Sequence, residues 1–185
     1  MTDGTGRHRY CAYYCEENVW QLCDDAAVVG SARAAIVISN PWRKVGIRCQ
    51  RAAPTPGEPV VWDYHVILAA HARGRWSVWD LDSTLGAPVP LSTYLRASFD
   101  YPEGFGEPLA ARFRVVEAQR YRTMLCTDRR HMRNADGAYL APPPAWPTIG
   151  EGSNLMQWVD MEASFEGDVV ELAALPAALD RLLSP

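Results

Sequence analysis

Two β-rich segments separated by four turn-forming residues constrain this chain more than any other feature of its sequence. Residues 60–70 are rich in valine, isoleucine and aromatics, and as a strand they would set Val61, Asp63, His65, Ile67 and Ala69 on one face. Residues 75–81 read the same way, and His71, Ala72, Arg73 and Gly74 lie between the two segments. The simplest product is an antiparallel hairpin. A loop of Ala72 and Arg73, or of all four residues 71–74, sets His65 directly opposite Asp80. Directly opposed side chains have Cβ atoms about 4.5 to 5.5 Å apart, a spacing that lets a carboxylate hold an imidazole. A three-residue bulged loop ending at Gly74 competes, and it would place Leu81 opposite His65.

A second feature adds a thiol. Val19, Leu22, Cys23 and Ala26 fall at i, i+3, i+4 and i+7, the apolar stripe of an amphipathic helix. Glu16, Glu17 and Asn18 are acidic and capping types favoured in a first turn, so Cys15 stands at or just before a helix N-terminus. Unpaired N–H groups there favour thiolate, while the two glutamates oppose it. Cys15, His65 and Asp80 together supply the thiol, imidazole and carboxylate of a thiol-based acyl-transfer site.

Each of these residues also has a plainer role open to it. A cysteine at a helix start is commonly a small core hydrophobe, and the same reading applies to Cys11, Cys23, Cys49 and Cys126. His65 could be a hydrogen-bonded core histidine and Asp80 a strand-end turn former; their pairing is what favours chemistry. His131 competes as a base, although Asp128, Arg129 and Arg130 beside it suggest a solvated loop or an ion-pair cluster. Cys11, Cys15 and His65 lack a second close Cys or His pair, so no metal is expected.

The remaining chain reads as a single domain over residues 1–185. With 185 residues and 48% hydrophobic content it can bury roughly 70% of its unfolded surface. Residues 34–39 predict a buried strand, residues 52–59 a loop, and Leu91, Tyr94 and Leu95 a helix capped at Ser92. Residues 112–118 and 169–172 predict strands, and Pro176 opens a C-terminal helix. Four prolines in residues 141–149 rule out regular helix or central strand there, so this segment should wrap the surface. The expected class is α/β (α+β), with a mostly antiparallel central sheet flanked by helices. No apolar run approaches 18 residues and no charged-then-apolar leader is seen, so a cytoplasmic protein without a membrane partner is expected. Five cysteines, an odd number, predict reduced thiols. A net charge of −4 gives no reason to expect nucleic acid, and Arg43, Lys44, Arg48 and Arg51 read as a solvated loop.

The run Tyr14-Cys15-Glu16-Glu17-Asn18-Val19-Trp20, with Leu22-Cys23 after it, resembles the nucleophile segment of the protein N-terminal glutamine amidohydrolases. So do Val61-Trp62-Asp63-Tyr64-His65-Val66, Trp79-Asp80-Leu81-Asp82, the residues from Asp128 to Met132, Pro142-Pro143-Pro144, and Asn154-Leu155. These matches keep the family's order over roughly residues 10–160, and the loop after Asn40 departs from it. The resemblance implies a monomeric enzyme of papain-like or transglutaminase-like type that deamidates N-terminal glutamine without cofactor or metal. Its partners would be peptide or protein N-termini bearing glutamine. Cys15 is then the nucleophile, His65 the base and Asp80 the orienting acid. Selectivity for an N-terminal residue requires an acid for the α-ammonium; Glu16, Glu17 and Asp63 are near the motifs, with Glu17 or Asp63 favoured. A cysteine peptidase or transglutaminase-like acyl transferase would use the same triad, and an inactive N-terminus-binding module is the alternative outside enzymes.

Overall fold

A computed structural model describes residues 7–100 and 109–183 of the protein. Its centre is β1 (Ala32–Ser39), paired antiparallel on one side with β4 (His65–Ala72) and on the other with β7 (Arg112–Glu117). Outward from β4 come β5 (Arg75–Trp79) and β6 (Val89–Pro90), and outward from β7 comes β8 (Asp168–Glu171). The sheet order is β6-β5-β4-β1-β7-β8, and every pairing is antiparallel. A separate two-stranded sheet joins β2 (Val45–Ile47) to β3 (Val60–Trp62).

Central β1 explains the mixed architecture. Buried on both faces from Ala34 onward, it reads as a continuous apolar run and not as an alternation. On one face Ala35 and Val37 join Val66, Leu68 and Ala70 beneath α1 (Cys15–Leu22), α3 (Ala118–Met124) and α4 (Leu155–Val159). On the other, Ala34, Ile36 and Ile38 join Ile67 and Ala69 against α2 (Leu91–Phe99) and α5 (Leu175–Arg181). Val19 and Leu22 of α1 are almost wholly buried, and each contributes about 1.5 to 3 kcal/mol of transfer free energy to holding that helix on the sheet. The protein is thus a mixed α/β structure whose central antiparallel sheet is flanked by helices.

The hairpin forms, but in neither expected register. Its loop is Arg73 and Gly74, so Ala72 pairs with Arg75 and Leu68 with Trp79. Both loop residues have positive φ, 51° and 76°, which is the mirror-image turn whose twist matches the flanking strands. This register puts His65 level with Asp82, and Asp80 reaches His65 only because the ladder ends at Trp79 and the chain turns, with Ser83 N–H donating to the Asp80 carbonyl.

Residues 60–70 also split into two strands. The Tyr64 N–H donates to the Asp63 side chain and Ser39 Oγ–H donates to the Asp63 carbonyl, so the backbone bends and His65 becomes the first residue of β4. Ser92 lies inside α2, whose N-cap is Pro90 without a side-chain cap. Residues 141–149 contain no helix or strand, and α5 carries its proline in the first turn. Among the described residues no helix is long and apolar enough to cross a membrane.

Candidate active site

Cys15 is the first residue of α1, at the position predicted for it. Tyr13 before it holds φ of 68°, and Tyr14 is the N-cap without a side-chain cap. Asn18 does not cap the helix. Its side chain accepts from the Cys11 N–H at 2.8 Å and donates to the Cys11 carbonyl at 2.9 Å, pinning the segment that leads into Cys15. The helix start does not make Cys15 a resting thiolate: burial, then the Glu16 carboxylate, push its value well above the ordinary thiol, against a backbone hydrogen bond with Val66.

His65 and Asp80 are both buried, and His65 Nε2 donates to Asp80 Oδ1 at 2.9 Å. Asp80 is saturated with donors: Oδ1 also accepts from the Asp82 N–H at 3.0 Å, and Oδ2 accepts from Gln50 Nε2 and Tyr94 OH, each at 2.9 Å. Burial alone would raise Asp80; the His65 charge and these hydrogen bonds outweigh it and hold the carboxyl below its usual value. Burial likewise works to lower His65, but Asp80 prevails and its value is raised. The indole of Trp62 stacks on the His65 ring, with centroids 6.0 Å apart and planes 17° from parallel. No local pattern could have revealed Gln50 and Tyr94, which come from a loop and from the far side of the sheet.

The two glutamates after Cys15 are wholly buried, unlike ordinary first-turn acids. Glu17 does not line the cleft beside Cys15. Its Oε1 accepts from Arg129 Nε at 2.7 Å, and its Oε2 accepts from Arg129 Nη2 at 2.8 Å and Trp146 Nε1 at 2.7 Å. Arg129 also donates to the carbonyls of Pro144, Trp146 and Pro147, so this pair fastens the proline-rich segment to α1. The partners are 112 residues apart, which is why the sequence shows only an acid and a base in unrelated places. Arg129→Met strands a buried carboxylate, at a cost of about 3 to 5 kcal/mol. The melting temperature is expected to fall by roughly 6 to 20 °C, and Glu17→Gln in the same chain to recover part of the loss. An unchanged melting temperature in Arg129→Met would contradict this role.

Cys15 and His65 open onto one cleft of about 250 Å³. Trp62, Asp63, Tyr64 and Asp82 line it from the β3–β4 side and the turn after β5, and Tyr13, His131, Met132 and Leu140 complete it. Asp63 is exposed there, while His131, which the sequence left among loop and ion-pair residues, faces the cleft with its ring edge to Tyr64. Asp82 accepts a 2.5 Å hydrogen bond from Tyr10 OH, and burial raises its value. The one grouping with metal-ligand spacing among the described residues is His65, Asp80 and Asp82, whose ligand atoms lie within 4.8 Å of one another. His65 Nε2 and both Asp80 oxygens already hold hydrogen-bond partners, so this set works as a hydrogen-bonded network. All five cysteines are free.

A thiol at a helix start and a carboxylate-held imidazole share one cleft at the end of an antiparallel sheet in an α/β protein, and these are the groups that thiol-dependent acyl transfer requires. Comparison with known proteins narrows the class. The N-terminal glutamine amidase family matches residues 10–179, and the chain belongs to that family. It is 36% identical over 157 residues to protein N-terminal glutamine amidohydrolase of Bos taurus, covering 82% of this chain and 75% of that one. The protein of the same name from Caenorhabditis briggsae is 36% identical over 166 residues, 87% and 89% of the two chains. The Homo sapiens protein is 34% identical over 157 residues, 82% and 76%.

Proposed function

We propose that this chain is a cysteine amidohydrolase that converts the side-chain amide of an N-terminal glutamine in peptides and proteins to a carboxylate, releasing ammonia. The observation that carries the reading is the His65–Asp80 hydrogen bond beside Cys15 in a single cleft, in a chain of this family. Asp80 occupies His65 Nε2, so Nδ1 is the nitrogen that takes the proton of the neutral Cys15 thiol. The thiolate attacks the glutamine carbonyl carbon, and the imidazolium gives its proton to the amide nitrogen, which leaves as ammonia when the C–N bond breaks. Water, activated by the same ring, then hydrolyses the thioester and restores the thiol. Asp80 keeps the ring orientation and stabilises its charge. The Cys15 N–H, which has no intrahelical acceptor at the first helical position, is a donor for the developing oxyanion.

Asp63 takes the ammonium role in this proposal, since it lines the cleft and Glu17 is committed to Arg129. The overall type is papain-like or transglutaminase-like, and the enzyme acts as a cytoplasmic monomer, to which five unpaired cysteines are suited. A peptidase or acyl transferase would use the same groups, so the products decide. Peptides with N-terminal glutamine, N-terminal asparagine and internal glutamine are incubated with the protein and read by ammonia release and mass. Uncut, uncrosslinked peptide carrying an acid in place of the amide is expected from N-terminal glutamine alone. Asparagine withdraws the carbonyl by roughly one C–C bond, about 1.5 Å, from an anchored ammonium, and misplacement of about 1 Å costs on the order of 10²-fold. Cleavage, crosslinking or equal turnover of internal glutamine would move the chain to one of the rival activities.

The acid limb of the rate follows His65, which must be neutral to accept the thiol proton. Asp80 holds it above 6.5, so the limb is expected above that pH, and NMR titration of the His65 ring should move down in Asp80→Asn. A His65 titration unchanged by Asp80→Asn would refute the coupling.

A further inference from the structure

Glu16 stands next to the nucleophile position, yet the mechanism gives it no role. Its Oε2 accepts from Tyr64 OH at 3.0 Å, while its Oε1 is buried without a hydrogen bond. The nearest cation-forming group to Oε1 is His131, whose Nε2 lies 3.3 Å away in an orientation too poor for a hydrogen bond. Neither ring nitrogen of His131 has a hydrogen-bond partner, although only 13% of its side chain is exposed. Nε2 and Oε1 face each other as an ion pair, but Nδ1 has no partner at all. Buried polar groups are ordinarily partnered, so an unpartnered nitrogen in a side chain that lines the cleft points to a missing ligand.

We propose that His131, held by Glu16 and Tyr64, accepts a hydrogen bond from the free α-amino group of the substrate. This rests on the proposed activity and deepens it. The Glu16 carboxylate beside Nε2 favours the tautomer that carries its proton there, which leaves the Nδ1 lone pair as an acceptor. Tyr64 closes the arrangement: its hydroxyl fixes the other Glu16 oxygen and its ring meets His131 edge-on at 6.3 Å. Asp63 and His131 line the same cleft, so an ammonium anchored there meets a carboxylate and a ring nitrogen. His131 is then a specificity residue that touches substrate, and Glu16 is a positioning residue that acts through it. An acylated or internal glutamine offers no ammonium and leaves Nδ1 unsatisfied.

The test compares a peptide beginning with glutamine and its desamino analogue, in which hydrogen replaces the α-amino group. In His131→Phe, kcat/KM for the amine-bearing peptide is expected to fall roughly 10- to 100-fold, the worth of one charged hydrogen bond, with the desamino peptide within about 2-fold of wild type. His131→Asn, which can present a carbonyl oxygen near the Nδ1 position, should keep more of the discrimination, and Glu16→Gln should lose part of it. Equal losses for both peptides, or none, would overturn the proposal. A binding measurement on the Cys15→Ala protein needs no turnover and decides the point separately. The His131 Nδ1 nitrogen resonance should shift with the amine-bearing peptide and not with the desamino one; equal shifts, or no shift with either, refute it. Failure of the wild-type protein to release ammonia from any glutamine peptide would instead count against the activity itself.

Discussion

Cys15→Ala is expected to abolish ammonia release from N-terminal glutamine while leaving the fold intact. Loss of a covalent nucleophile removes the route through the thioester, and in a triad that acts as a unit such a loss is on the order of 10⁵- to 10⁶-fold in turnover. Stability should change little. The Cys15 side chain is buried, but the sulfur accepts one backbone hydrogen bond, from Val66, and makes a long 3.9 Å contact to Glu16 Oε2. Losing a single sulfur atom there leaves Val19 and Leu22 to hold α1 on the sheet. Melting and near-ultraviolet circular dichroism check the fold, and an ammonia assay checks the chemistry. Full activity in Cys15→Ala, or its loss in Cys126→Ala or Cys49→Ala with Cys15 intact, would assign the nucleophile elsewhere.

Asp80→Asn should produce the second largest effect. A triad carboxylate exchanged for an amide leaves the imidazole in the wrong tautomer, at a cost on the order of 10⁴ in turnover. Here the damage extends to the scaffold, because Asp80 accepts from four donors: His65, the Asp82 N–H, Gln50 and Tyr94. An asparagine NH₂ turned toward Oδ2 faces the Gln50 and Tyr94 donors, and turned toward Oδ1 it faces His65 and Asp82. Either orientation sets donor against donor, so a fall in melting temperature accompanies the lost rate. Asp82→Asn lacks this conflict at His65, and its loss should be smaller although Asp82 also lines the cleft. If Asp82→Asn were as damaging as Cys15→Ala while Asp80→Asn stayed active, the orienting carboxylate would be Asp82.

Local periodicity carried the elements that frame the site. The Val19 and Leu22 part of the α1 stripe, the strand content of residues 34–39 and 112–118, and the hairpin between residues 65 and 79 all rest on spacing that one strand or helix imposes on its own residues. The helix is shorter than its stripe suggested: it ends at Leu22, with Cys23 as its C-cap and Ala26 exposed in the turn beyond, and the strand from Arg112 ends at Glu117. The register failed for a physical reason. Arg73-Gly74 closes a two-residue loop with both φ positive, a geometry that glycine invites but that the neighbouring alanine and histidine do not specify. A shift of two residues keeps every side chain on its predicted face, so the faces survived while the opposed partner of His65 changed. The His65–Asp80 contact then depends on a turn beyond the ladder. What lay outside the reach of sequence was long-range: Arg129 on Glu17 and Tyr94 on Asp80 join residues whose neighbours give no hint of the other partner. His131 was legible as a competing base or as a histidine in a charged loop, and its place in the cleft follows from how residues 128–132 pack on α1.

The most direct test of the account is a rapid-quench mass measurement of the protein during turnover of a peptide with N-terminal glutamine, followed by peptide mapping. The account predicts an adduct equal to the peptide less ammonia, attached through a thioester to Cys15 and absent with internal glutamine. An adduct mapped to another cysteine, or turnover that proceeds in Cys15→Ala without any adduct, would contradict it.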